Sequence, residues 1–183
     1  MRRSARIDIL TTAVAMLRRG ETISLESVAV AAGLTKPGLM YHFKTKEALM
    51  LGVVDRVADE QEVELRAALD DVDPASPWPR LTAYVRWMMS GSVDEADLAM
   101  MADPRLRDAL MRRWEERMLP WTQVPDHVDA ATRARLEGAR LMSEGAWFAD
   151  ASGVMPLDPD VRPGVQALAE QLMTNDKTTG GAA

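Results

Sequence analysis

The sequence contains no cysteine, and this absence excludes disulfide bonds and thiol chemistry. It has only two histidines, His42 and His127, and it lacks both a His-x-x-x-His pair and a glycine-rich phosphate loop. No apolar run approaches the length of a membrane span, and no hydrophobic leader follows the N-terminus. We therefore expect a cytoplasmic protein with no metal site, no cofactor and no membrane contact. Catalysis is disfavoured, although a carboxylate pair can be recognised only by its geometry.

Strand-like alternation is also missing, whereas helical spacing of apolar residues recurs along the chain. With 183 residues, 47% of them hydrophobic and 27% charged, the chain is long enough to bury a core in two subdomains. The sequence predicts an all-α fold. Its clearest internal boundary is the segment 71–79, DVDPASPWP, which contains three prolines.

The net charge of −6 is unevenly distributed along the chain. Residues 1–50 carry eight basic and four acidic side chains, a net +4, whereas the remaining 133 residues carry 14 basic and 24 acidic ones, a net −10. Positive charge at one end favours a defined nucleic-acid face, because the rest of the chain repels phosphate.

The segment 25–43, LESVAVAAGLTKPGLMYHF, lies within this basic end and predicts two short helices joined by a glycine corner. Gly33 suits the left-handed position that ends the first helix. Thr35 can cap the second helix, and Pro37 fits its first turn. Leu39 and Phe43 point inward, which leaves an outward face of mixed chemistry typical of a helix that enters the major groove. That face comprises Lys36, Gly38, Tyr41 and His42.

Both flanks of this pair are also helical. Ile7, Leu10, Ala13, Val14 and Leu17 predict a first helix over about 4–19, and Thr45-Lys-Glu-Ala begins a long helix from Lys46 to about Asp70. Further helices are predicted over 78–91, 94–102, 104–122, 129–151 and 158–173. We expect the boundaries 1–48 for a DNA-binding domain, 49–175 for a ligand-binding and dimerisation domain, and 176–183 for a disordered tail.

The first fifty residues resemble the TetR family of transcriptional regulators. The resemblance depends on the bracing helix, on SLESVAVAAGLTKPGLMYHF and on KTKEAL from Lys44 to Leu49. Family members commonly carry an aromatic residue where this chain has Met40, with Tyr41 one place later. The combination of Gly38 with an aliphatic residue at position 40 resembles the branch that represses multidrug efflux pumps and senses flat lipophilic cations. The resemblance implies a homodimer that binds a palindromic operator and is released by a small ligand.

The predicted DNA contacts divide by chemistry. Arg2, Arg3 and Lys46 are expected to hold phosphates, as are Thr35 and His42. Base edges or thymine methyl groups are expected to face the side chains of the outer helix surface. Those residues are Lys36, Pro37, Gly38 and Tyr41.

All five tryptophans and nine of the thirteen methionines follow residue 70. Such side chains suit a pocket for varied aromatic molecules, although each one could equally belong to an ordinary core. Glu144, three residues before Trp147, is the first candidate for meeting a cationic ligand, with Asp97 and Asp103 as weaker ones. The predicted ligand contacts are Trp87, Met88, Met101, Trp114, Met118, Met142, Glu144 and Trp147.

The last two predicted helices have the pattern of a dimer interface or of an internal core. Small residues along 129–151 allow another helix to come close, and an apolar seam follows 158–173. The family resemblance favours the dimer. One alternative stays open for the function: a helix-turn-helix protein with no small-molecule ligand that is constitutive or is controlled by a protein partner. The seam residues are Val161, Val165, Leu168 and Leu172.

Overall fold

The computed structural model describes residues 5–91 and 103–174, and within these ranges the chain forms eight α-helices and no strand. The prediction of an all-α fold is confirmed. None of the described helices is both long and apolar enough to span a bilayer. In chain order they are α1 (Ala5–Leu17), α2 (Leu25–Ala31), α3 (Lys36–His42), α4 (Lys46–Asp70), α5 (Pro79–Met89), α6 (Arg107–Thr122), α7 (Ala130–Ser152) and α8 (Arg162–Thr174).

The predicted helix bounds hold to within two residues in most places, but two helices begin later than expected. The predicted starts at 104 and 158 are wrong, because α6 begins at Arg107 and α8 at Arg162. Turns precede both helices. Several predictions fall outside the described residues: the helix 94–102, the tail 176–183, and the site residues Arg2, Arg3, Asp97 and Met101.

The chain divides into two compact units. Unit 1 comprises residues 1–61 and 94–118, and unit 2 comprises residues 62–93 and 119–183. Unit 1 therefore contains the helix-turn-helix segment, whereas α5, α7 and α8 belong to unit 2. The predicted domain boundary after residue 48 stays a prediction.

The core of unit 1 is formed by apolar residues of α1, α2, α3, α4 and α6. Leu49, Val53 and Val57 are fully buried on α4, as the helical period predicts. Ile7 of α1 is exposed, contrary to the predicted period, and Ile9 and Met16 are buried instead. Burying a stripe of this kind is what stabilises short helices that would be marginal alone.

In unit 2, α7 packs against both α5 and α8, and α5 also contacts α8. Small side chains allow the close approach, since Ala139 and Ala169 are completely buried at these helices. The N-terminus of α7 is capped by Asp129, the residue at which this helix was predicted to begin, whose Oδ1 accepts a hydrogen bond from the Thr132 N–H at 2.9 Å. Tyr84 of α5 is also fully buried.

Candidate nucleic-acid interface and effector site

The corner between α2 and α3 is closed by backbone hydrogen bonds around Gly33. The Leu34 N–H donates to the Ala29 carbonyl at 2.8 Å, and the Gly33 N–H donates to the Val30 carbonyl at 3.1 Å. This pair of bonds is a Schellman motif, and it requires the left-handed φ of +67° that Gly33 adopts. The predicted role of Gly33 is confirmed, and the motif fixes the direction in which the chain enters α3.

The first turn of α3 is held by Thr35, whose Oγ1 accepts a hydrogen bond from the Gly38 N–H at 3.2 Å. Pro37 sits in this first turn, where it loses no intrahelical bond. A β-carbon on Gly38 would lie 3.2 Å from the Thr35 hydroxyl, so the absence of a side chain also leaves room for the cap. Both sequence predictions about this helix start, the cap and the proline, are confirmed.

The two faces of α3 differ sharply in burial. Leu39 is 0% exposed and Phe43, the C-cap residue of α3, is 1% exposed, whereas Tyr41 is 85% exposed. The Tyr41 and His42 rings meet edge to face, with their centroids 5.2 Å apart. The inward and outward faces are therefore those predicted, and the outer one presents an aromatic ring, an imidazole and a lysine.

Two lysines of the predicted DNA face are already ion-paired. Lys36 of α3 pairs with Glu26 of α2, and Lys46 Nζ lies 2.8 Å from Asp103 Oδ2. The Lys36 ammonium holds the pKa of Glu26 below its ordinary value, and Lys46 does the same to the pKa of Asp103. Both carboxylates therefore stay ionised at neutral pH. Neither partner could be read from the sequence, since the Lys46 pair joins residues 57 positions apart.

Arg6 belongs to this surface but was absent from the predicted contacts. Its guanidinium donates to the His42 carbonyl at 3.3 Å and lies 4.3 Å from the centre of the Phe43 ring. These contacts place a cation at the C-terminal end of α3, where its charge also interacts favourably with the negative end of the helix dipole. The basic stretch that contains Arg2 and Arg3 was the only signal in the sequence.

Five of the predicted ligand contacts lie in unit 2: Trp87, Met88, Met142, Glu144 and Trp147. The buried Tyr84 hydroxyl donates to Glu144 Oε1 at 3.1 Å, and its ring lies 6.0 Å from that of Trp87. Arg140 donates to both Glu144 oxygens at 2.8 and 2.7 Å. The Glu144 carboxylate is thus already neutralised by a neighbour on α7, so a cationic ligand would have to compete with Arg140 for it.

The other two described candidates, Trp114 and Met118, lie in unit 1. The Trp114 ring packs against the unit 1 core and its Nε1 donates to Gln61 Oε1 at 3.3 Å, while Met118 is buried. The predicted set is therefore divided between the two units. Unit 1 also contains a groove of about 430 Å³, within the size range of ligand sites. Of the described ligand candidates only Asp103, one of the weaker ones, lines it.

The predicted dimer helices have an apolar face that stays exposed within the part of the chain that the structure describes. The exposed residues Leu141 and Phe148 lie on one side of α7, and Gly145 between them has open space around it. On α8, Leu168 is 55% exposed and Val161, just before the helix, is exposed as well. Leu172 instead contacts the chain itself, with its Cδ1 3.7 Å from the position of a Gly138 β-carbon. The intramolecular core uses Ala169 and Met173.

Comparison with known proteins assigns the family. Residues 78–174, more than half of the chain, match the family model of tetracyclin repressor-like C-terminal domains. The HTH-type transcriptional regulator EthR of Mycobacterium tuberculosis is 28% identical over 173 residues, which cover 85% of this chain and 80% of EthR. The same identity and coverage hold for EthR of Mycobacterium bovis.

Solved structures show the same fold. A TetR-family transcriptional regulator from Streptomyces coelicolor superposes with a TM-score of 0.60 at 19% identity, over 92% of this chain and 94% of that one. A structure described as a putative transcriptional regulator from Pseudomonas aeruginosa PAO1 gives 0.59 at 15% identity, over 93% and 90%. These relatives are regulators of transcription and not enzymes. With its helix-turn-helix segment and its matching C-terminal helices, the chain belongs to the TetR family of transcriptional regulators.

Proposed function

We propose that the protein is a homodimeric repressor that binds a pseudo-palindromic operator through α3 and is released by a small lipophilic ligand. The observation that carries the DNA-binding part is the contrast between the two faces of α3. Leu39 and Phe43 anchor the helix in the core of unit 1, while Tyr41 is almost fully exposed. An exposed tyrosine ring forgoes the stabilisation that burial of its apolar surface would give. Contact with DNA would bury this surface.

The DNA contact is tested by Tyr41→Ala. We expect its affinity for an operator duplex, selected from a random pool by the wild-type protein, to fall about 5- to 150-fold, the effect of one lost base contact. Unfolding by urea should be unchanged because the side chain is exposed. Met155→Ala is the matched control, since Met155 is 88% exposed but lies in unit 2. Equal affinity of Tyr41→Ala and wild type would overturn the assignment of α3.

Dimerisation is inferred from the uncovered apolar face of α7 and α8. This face carries an exposed apolar stripe with the spacing of helix–helix packing, formed by Leu141, Phe148 and Leu168. A second copy related by a twofold axis presents the same stripe, so that the apolar surfaces of both copies are buried against each other.

A charge placed on that stripe tests the interface. Leu168→Glu should shift the protein to monomers in sedimentation velocity, because the carboxylate would be desolvated between apolar neighbours. Leu119→Glu is the control, since Leu119 is 50% exposed and belongs to α6 and not to α7 or α8. Dimers of Leu168→Glu as stable as those of Leu119→Glu would contradict the proposed interface.

The ligand part rests on the aromatic and thioether side chains of unit 2, among them Trp87, Met88 and Trp147. Titration calorimetry with a flat aromatic cation and with an uncharged aromatic of the same size distinguishes the two ligand classes. It is carried out without DNA because such cations intercalate. Binding of the uncharged molecule alone would favour a neutral lipophilic effector, consistent with the pairing of Glu144 and Arg140. Binding of neither would favour a regulator controlled by a protein partner.

A further inference from the structure

Two ammonium groups of the proposed DNA face are bound by carboxylates of the same chain. Glu26 of α2 holds Lys36, and Asp103 holds Lys46. All four side chains are partly open to solvent, with 32% to 60% of their surface exposed. Within unit 1, a phosphate oxygen that approaches either lysine therefore meets a cation that already has an anionic oxygen as its partner.

We propose that Glu26 and Asp103 are affinity-determining residues that compete with the DNA backbone for Lys36 and Lys46. The inference rests on the proposed DNA-binding function. A carboxylate and a phosphate offer an ammonium group the same kind of ligand, an anionic oxygen. On binding DNA, each lysine must leave its carboxylate, and the released negative charge then stands close to the negative DNA. Both consequences weaken binding.

The chain provides an internal control for the effect of charge alone. Glu21 also lies in unit 1 and also forms an exposed ion pair, in which Arg19 Nε is 2.6 Å from Glu21 Oε1. Arg19 follows α1 and has no assigned role at the DNA. Glu21→Gln therefore removes the same charge as Glu26→Gln from the same unit without releasing a cation of the proposed DNA face.

The first experiment compares Glu26→Gln, Asp103→Asn and Glu21→Gln by fluorescence anisotropy, each checked for native helix content by circular dichroism. The probes are a random-sequence duplex in dilute salt and a duplex that the wild-type protein selects from a random pool. Because exposed ion pairs are weak, we expect Glu26→Gln and Asp103→Asn to bind about two- to five-fold more tightly than Glu21→Gln. For Asp103→Asn the gain should be equal on both duplexes, since Lys46 is assigned to phosphate.

The second experiment removes the lysine that each carboxylate holds. In a Lys36→Gln background only the repulsion between Glu26 and DNA remains, so Glu26→Gln should gain less affinity over Glu21→Gln than it does when Lys36 is present. The same is expected of Asp103→Asn in a Lys46→Gln background. An affinity of Glu26→Gln equal to or below that of Glu21→Gln would overturn the inference for Lys36, and the same result for Asp103→Asn would overturn it for Lys46. A wild-type protein that binds neither duplex would instead refute the proposed function.

Discussion

Gly33 illustrates how a single residue fixes the geometry of the DNA-binding segment. Its φ of +67° belongs to the left-handed region, and nothing lies within 4 Å of the position that a β-carbon would take. The cost of any side chain there comes from the backbone alone.

We therefore expect Gly33→Ala to lower the free energy of unfolding by about 1–2 kcal/mol, measured by urea denaturation. Gly33→Asn should lose less, because asparagine tolerates this conformation better. Gly164→Ala is the control, since Gly164 in α8 also has open space around it but has no positive φ. A loss at Gly164 as large as at Gly33 would show that the left-handed conformation is not the cause.

At this scale the sequence predicts local contacts well and distant ones poorly. Arg140 precedes Glu144 by four residues, so their pairing follows from helical spacing. Tyr84, the other partner of Glu144, is 60 residues away, and no local pattern reveals it. The same difference separates the confirmed Thr35 cap from the unexpected Lys46 pair with Asp103.

The helices themselves were predictable because apolar spacing and capping residues mark most of their ends. The exceptions are α6 and α8, where an Asp-Pro dipeptide precedes the helix by several residues. Asp103 Oδ1 accepts from the Arg105 N–H at 3.1 Å, and Asp158 Oδ1 accepts from the Asp160 N–H at 2.9 Å. Each aspartate thus closes a short turn before the helix. A sequence cannot distinguish such a turn from a helix cap, since both use the same side chain.

The contact between α5 and α8 contains an ion pair that should make unit 2 sensitive to acid. Arg86 binds Glu170 through two hydrogen bonds of 3.0 and 2.9 Å. The bonds to Arg86 hold the pKa of Glu170 below its ordinary value of 4.5, although partial burial opposes this. The folded carboxylate therefore binds protons less readily than the unfolded one, so its stabilising contribution is complete above pH 4.5 and is lost as the pH falls through the lower, folded pKa.

We expect Glu170→Gln to lose about 1 kcal/mol of stability at neutral pH and to show a shallower decline below about pH 5 than the wild type. Urea denaturation at a series of pH values measures both effects. Asp126→Asn, which changes an exposed carboxylate of unit 2, serves as the control. Parallel acid profiles for wild type and Glu170→Gln would exclude this pair as a source of the pH dependence.

On the scale of the whole molecule, the sequence indicates the family and the all-α class but not the grouping of distant segments. Residues 94–118 belong to unit 1 although they lie between the two segments of unit 2 in the chain. Trp114 and Met118 of the predicted ligand set therefore lie in unit 1, and their role as ligand contacts stays a prediction. Soft, flat side chains look the same in a ligand pocket and in a core. The structure adds what composition cannot, namely which unit each side chain packs in.

The separation of charge along the chain predicts how the affinity of the proposed dimer for DNA depends on salt. If Arg2, Arg3 and Lys46 of both protomers hold phosphates, roughly six counterions leave the DNA on binding, and the slope of log K against log salt should be roughly −5. Lys46→Gln should reduce its magnitude by roughly 2. A slope near zero would contradict the assignment of phosphate contacts to these three residues.

The position of Trp114 has a practical consequence for spectroscopy. It is the only tryptophan of unit 1, because Trp78, Trp87, Trp121 and Trp147 all belong to unit 2. Replacing those four with phenylalanine would leave a single indole, hydrogen-bonded to Gln61, whose emission reports on unit 1 alone. The complementary variant, with only Trp114 replaced, would report on unit 2 alone, so the order in which the two units respond to an added molecule becomes measurable by fluorescence.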